Sequence, residues 1–133
     1  MKNDTLLTTT SLLAIVLMSL HLTDDIVRGL DPVGPKNLIA VAILVVWLVA
    51  AVLLTGKRAG YLVLSLGSLM AAGMPVLHLQ GRSIGAIIQS TGGYFFLWTL
   101  LALGVTGTFA LILSVRGLWN LRRQSRPTTT ASQ

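Results

Sequence analysis

Long apolar runs separated by short polar breaks dominate the chain, and their lengths are those of helices that cross a bilayer. The first run goes from Leu6 to Leu22. At about 1.5 Å per residue it reaches roughly 25 Å, short of a hydrocarbon core of about 30 Å. Continuing the helix through Ile26, Val27 and Arg28 to a stop at Gly29 makes up the deficit, so the first span is placed at 6–28. No small-x-small cleavage site follows this run and three further runs do, so it is expected to stay as a helix and not to be removed as a signal peptide.

Pro32, Gly34 and Pro35 break the chain before a second, almost purely aliphatic span at 38–55, with Trp47 near its middle. Gly56 to Gly60 leaves room only for a helical hairpin turn, and a third span at 61–79 follows. This span is rich in small residues, Gly67 and Ala71 among them, which let helix backbones approach closely in lipid, so it is expected to be central to the packing. Pro75 predicts a kink one turn before His78. Ile84, Ile87 and Ile88 fall on one side of a short helix capped by Ser83. The fourth span is placed at 94–115, with Gly104, Gly107 and Thr108 as a second small-residue seam. Arg116 to Arg123 is a basic, Trp-bearing juxtamembrane segment, and the Ser/Thr-rich stretch 125–133 is expected to be a disordered cytoplasmic tail.

The pattern therefore predicts an all-α membrane protein, a four-transmembrane-helix up-down bundle forming one domain over 1–124. Composition agrees: 53% hydrophobic and 11% charged residues, with a mean hydropathy of +0.79, are too apolar for a water-soluble domain. The absence of cysteine excludes a disulfide framework, a thiolate zinc site, a Cys-ligated iron–sulfur cluster and a Cys nucleophile. A net charge of +6 could suggest nucleic acid, but the basic residues flank apolar spans and form no aromatic-interleaved patch, so no nucleic-acid partner is expected. Their distribution sets orientation instead. Lys2, Lys57, Arg58, Arg116, Arg122, Arg123 and Arg126 lie on one side, against Arg28, Lys36 and Arg82 on the other, which puts both termini in the cytoplasm of a prokaryotic plasma (inner) membrane. Tyr61 and Trp119 then belong to an inner aromatic belt, and Tyr94 and Trp98 to an outer one.

Leu20-His21-Leu22 recurs 57 residues later as Leu77-His78-Leu79, and the same offset carries Asn37 onto Tyr94, where the fourth span begins. A parallel duplication of one hairpin, related by an axis along the membrane normal, gives that spacing; so do any two helix pairs of membrane length.

Polar chemistry concentrates at the outer ends of the first and third spans. His21, Asp24, Asp25 and Arg28 project from one helix face, and His78 and Arg82 lie at similar depth, completing one polar cluster. His21 ends a stripe of Met18, Leu17, Ala14 and Thr10, and His78 ends one of Met74, Ala71 and Gly67, so both imidazoles are expected to point inward. With Asp24 or Asp25 they would offer ligands suited to a divalent transition metal, or axial ligands to haem b. The plain alternative is a solvated, self-neutralising cluster in which Arg28 balances two carboxylates that oppose a helix C-terminus. Ser19, Ser83 and Ser90 share this region without a nucleophile motif. The midplane offers only Thr10, Ser11, Ser65, Ser68, Thr106 and Thr108, with no ionisable group, which argues against a proton-coupled transporter acting alone. Three functions stay open: a non-enzymatic accessory or binding component of a membrane complex, as a homo-oligomer or with a membrane-protein partner; a metal- or haem-binding protein using His21 and His78; and a small membrane enzyme with an extracytoplasmic site.

Overall fold

The computed structural model describes residues 2–29, 33–80 and 84–124. All the secondary structure among them is helical: α1 (Lys2–Val27), α2 (Pro35–Leu53), α3 (Arg58–Leu79), the short α4 (Ile84–Gln89) and α5 (Gly93–Gln124). Four of these, all but α4, are long and apolar enough to cross a membrane. Arg82, Ser83 and the tail 125–133, and with them the expected cap of α4, lie outside the described residues.

The helix ends follow local chemistry. α1 stops where expected, at Gly29, whose φ of +69° suits glycine and whose N–H donates to the Ile26 carbonyl at 3.0 Å. Pro35 opens α2 at a position where its missing N–H costs nothing, and the Asn37 carboxamide accepts the Gly34 N–H at 2.6 Å. Hydroxyls inside the helices bond back one turn, as Thr10 does to the Leu6 carbonyl at 2.7 Å and Thr108 to that of Gly104 at 2.8 Å. α5 differs most from expectation. It runs unbroken through the basic segment to Gln124, because Leu118 and Leu121 still find the core cluster to pack against.

α5 packs most extensively on α3 and next on α1, while α2 packs on α1 and α3; α1 and α3 touch each other far less. The four long helices thus sit in a ring, with α1 and α3 on one diagonal. α3 is central as expected, but it shares that position with α5. Contacts fix the register: Ser65 and Ser114 share a hydrogen bond of 3.0 Å, and a Cβ on Gly104 would fall 2.6 Å from Pro75 Cγ. Numbering therefore falls along α5 as it rises along α3. Gly67 is buried under the Trp47 indole, where a Cβ would lie 2.6 Å from the ring, and Ala71 faces Gly107.

Two expected packing roles are corrected. Thr108 is exposed and Gly107 takes the α3 contact, because one residue on a helix turns the side chain by about 100°. Tyr61 is 6% exposed and donates to the Asp4 carboxylate, so it turns inward instead of joining an aromatic belt; Trp119, Tyr94 and Trp98 are exposed. In α4 only Ile87 is buried, while Ile84 is exposed.

Candidate metal centre

α1 delivers His21 at the end of the stripe Thr10, Ala14, Leu17 and Met18, all buried as that spacing requires. α3 delivers His78 one turn beyond Met74, and the helix persists past Pro75 to Leu79. The two imidazoles meet edge to face, ring centroids 4.8 Å apart. Asp25, one turn beyond His21, completes the group. Its Oδ2 stands 3.7 Å from His21 Nε2 and 3.3 Å from His78 Nε2, so one carboxylate oxygen serves both rings.

This is not the solvated cluster that the sequence alone also allowed. His21 is fully buried and Asp25 is 6% exposed, because Phe96 of α5 lies over both rings, at 5.3 Å from His21 and 6.0 Å from His78. Neither ring nitrogen of His21 has a hydrogen-bond partner among the described residues. Buried polar atoms are seldom left so, because each forgoes the hydrogen bonds it would make in water. His78 Nδ1 lies 3.2 Å from the Met74 carbonyl, an acceptor, so Nδ1 carries a proton. Its Nε2 then faces an anionic oxygen, and a positive centre between them, a proton or a metal ion, resolves the contact.

The donor set suits a metal. One ligand atom from each of His21, Asp25 and His78 lies within 4.8 Å of the other two. Around a tetrahedral ion with bonds of about 2.0–2.2 Å, neighbouring ligand atoms stand roughly 3.4 Å apart; the two Asp25–imidazole distances, 3.3 and 3.7 Å, are close to this, and the imidazole pair lies within 4.8 Å. Two imidazoles and a carboxylate leave coordination positions open, and the Met74 carbonyl holds the His78 ring as outer-shell carbonyls hold metal-ligating imidazoles.

Asp24, an expected ligand, is placed elsewhere. It pairs with Arg28, whose Nε is 2.8 Å from Asp24 Oδ2. Arg28 also donates from Nη1 to Ser90 Oγ at 3.3 Å and lies over the Phe96 ring at 5.3 Å. The cluster therefore divides into a His–Asp–His group, buried at His21 and Asp25 and half-buried at His78, and an Asp–Arg latch beside it. Arg28 balances one carboxylate and not both, since Asp25 has turned to the imidazoles.

Haem b does not fit between the two histidines, whose rings are in edge contact beneath Phe96 and leave no slot for a macrocycle. Of the serines in this region, Ser19 donates to the Ile15 carbonyl at 2.9 Å and Ser90 to that of Ile87 at 2.6 Å. Phe96 is the site residue that sequence reasoning missed; its signal was the stripe Phe96, Leu100, Leu103, Gly107 at helical spacing.

Fold and site together define a helical protein with four helices of membrane-crossing length and a largely buried His–Asp–His cluster. Compared with known proteins, the chain matches no family model, no curated protein and no solved structure.

Proposed function

We propose that this is a multi-pass protein of the plasma membrane, an up-down four-helix bundle that binds one divalent transition metal ion through His21, Asp25 and His78 on its extracytoplasmic side. The observation that carries the reading is the convergence of three ligand atoms within 4.8 Å, two of them from buried residues and the third from half-buried His78. All three ligands come from one chain, so neither a second copy nor a membrane-protein partner is needed to complete the site. Such a site suits a binding or accessory component of a membrane complex.

Membrane insertion is supported by what the helices leave uncovered. α2 is the most apolar of the four long helices, yet among its residues only Trp47, Ala50 and Ala51 are buried. Leu38, Ile39, Val46 and Val52 all stand outward. Apolar surface on that scale asks for lipid. The basic residue count supports a cytoplasmic position for both termini, and reporter fusions at each terminus test it.

The bundle is also read as two hairpins related by an approximate twofold axis. The offset of 57 that pairs His21 with His78 pairs Leu7 with Leu64, Ser11 with Ser68 and Ala14 with Ala71, and these last six are at most 1% exposed. It also pairs Asp4 with Tyr61, which are hydrogen bonded. Residues that meet their own counterparts lie on such an axis, and the metal would sit there.

Cobalt titration of the full chain in detergent tests the metal reading, followed by visible absorption. One ion per chain is expected, lost in His21→Ala and in His78→Gln and retained in Asp24→Asn. Equal binding by the parent and both histidine variants would overturn it.

A further inference from the structure

A second site lies at the opposite end of the molecule, where Asp4 and Tyr61 meet. Arg58, in the first turn of α3, and Arg122, in the last turn of α5, line one pocket of about 400 Å³ with Gly56, Leu118 and Leu121. The two guanidiniums come from different helices, and neither has an ion-pair partner among the described residues. The described acidic residue at this end is Asp4, whose carboxylate is engaged by the Tyr61 hydroxyl. Gly56, whose φ of +88° suits glycine, forms the turn at the edge of this pocket.

We infer that this pocket binds the phosphodiester of an anionic phospholipid. Two arginines lining one pocket offer phosphate oxygens matching charge and fork-shaped donors. Leu118 and Leu121 supply an apolar wall on which the glycerol and first acyl carbons can lie. Trp119, 58% exposed one position from Leu118 and stacked by Arg123 at 5.4 Å, marks the depth of a headgroup region. A basic cleft between helices on the cytoplasmic side is where headgroups of this charge bind. The inference rests on membrane insertion with this end inside, and not on the metal.

Free phosphate offers the same oxygens, so the experiment separates the two sources. The full chain in detergent is titrated with short-chain phosphatidylglycerol, with phosphatidylcholine of equal chain length and with inorganic phosphate, and retained ligand is counted by native mass spectrometry. One tightly held phosphatidylglycerol is expected. An Arg58→Gln, Arg122→Gln pair should weaken it roughly tenfold or more, because it removes charge-assisted hydrogen bonds to the phosphate as well as charge. An Arg116→Gln, Arg123→Gln pair removes the same charge outside the pocket lining and should weaken binding clearly less, by diffuse attraction alone. Equal loss in both pairs would mean diffuse attraction and would overturn the site. Equal retention of phosphatidylcholine would overturn its selectivity for anions, and inorganic phosphate held as tightly as the lipid would overturn the lipid assignment. Each single Gln variant, with helicity checked by circular dichroism, keeps the comparison readable if a double variant does not fold.

Discussion

His21 and His78 lie 57 positions apart on α1 and α3, helices that otherwise barely touch, yet their rings stand 4.8 Å apart at an interplanar angle of 78°. Contact across a bundle diagonal needs side chains that reach inward past the neighbouring helices. Asp25 fills the remaining angle between the two rings, and Phe96 closes the group from α5. The predictions below follow from that arrangement and from the packing that holds it.

Metal affinity should depend steeply on pH. Imidazole binds a metal only in its neutral form, so protons compete for His21 and His78. The charged groups near the pair are Asp25 itself and, beyond it, Asp24 with Arg28; α5 contributes the Phe96 ring. Cobalt affinity should therefore rise as the pH is raised and flatten once both imidazoles are neutral. A chelator should lower the melting temperature where the imidazoles are neutral and metal is bound, and have less effect in acid, where protons displace the metal. Affinity that stays constant with pH would show that the histidines are not the ligands.

Gly107→Ala should destabilise the α3–α5 contact by about 1–3 kcal/mol, since overpacking a close helix interface displaces backbone. The added methyl would fall 2.6 Å from the Ala72 nitrogen and 2.7 Å from Ala71 Cβ, and a backbone nitrogen cannot swing aside. Gly73→Ala meets nothing within 4 Å and should be neutral or stabilising through helix propensity. Thr108→Ala, on the exposed face, should melt close to the parent. Detergent melts of the three variants give the order; a Gly107→Ala protein as stable as Gly73→Ala would contradict the packing.

Ser11 and Ser68 are fully buried with no hydrogen-bond partner for either hydroxyl among the described residues. An unsatisfied buried hydroxyl costs about 1–3 kcal/mol, so Ser11→Ala and Ser68→Ala should be neutral or should raise the melting temperature. Ser114→Ala removes the 3.0 Å link to Ser65 and should lower it. A clear loss of stability in both of the first two variants would mean that the hydroxyls hold an internal water.

Element existence was legible because four apolar runs of membrane length admit few other readings, and the inward aim of His21 and His78 was legible from the buried stripes that lead to them. The division of labour between Asp24 and Asp25 was not. Both stand within a turn of Arg28 and of His21, so helical spacing cannot choose between them. The choice is made by groups far away in sequence: His78 draws Asp25 inward, while Ser90 and Phe96 hold Arg28 near Asp24. Tyr61 was misplaced for a similar reason. Its partner, Asp4, lies 57 residues away, and the offset that paired the histidines would have paired these two as well.

Arg28 should prove a latch on the site and not part of it. Its guanidinium joins the end of α1 to the turn before α5 through Asp24 at 2.8 Å and Ser90 at 3.3 Å, and it lies over the Phe96 ring that covers both histidines. With the Asp24 and Arg28 side chains about 15% exposed, the pair is screened less than a surface ion pair. Arg28→Ala leaves Asp24 in the last turn of α1, facing the negative end of the helix dipole without its cation. The expected cost is on the order of 2 kcal/mol in a detergent melt. Asp24→Asn should suppress most of that loss, because it removes the charge left unpaired, whereas Asp25→Asn should add its own cost without suppression, because Asp25 faces the imidazoles. A double-mutant cycle should thus show coupling of 28 with 24 and, within about 0.5 kcal/mol, none with 25. Cobalt should still bind one ion per chain in Arg28→Ala, since no ligand is removed. If Arg28→Ala melts like the parent while losing the metal, Arg28 belongs to the binding site and the division between latch and cluster is wrong.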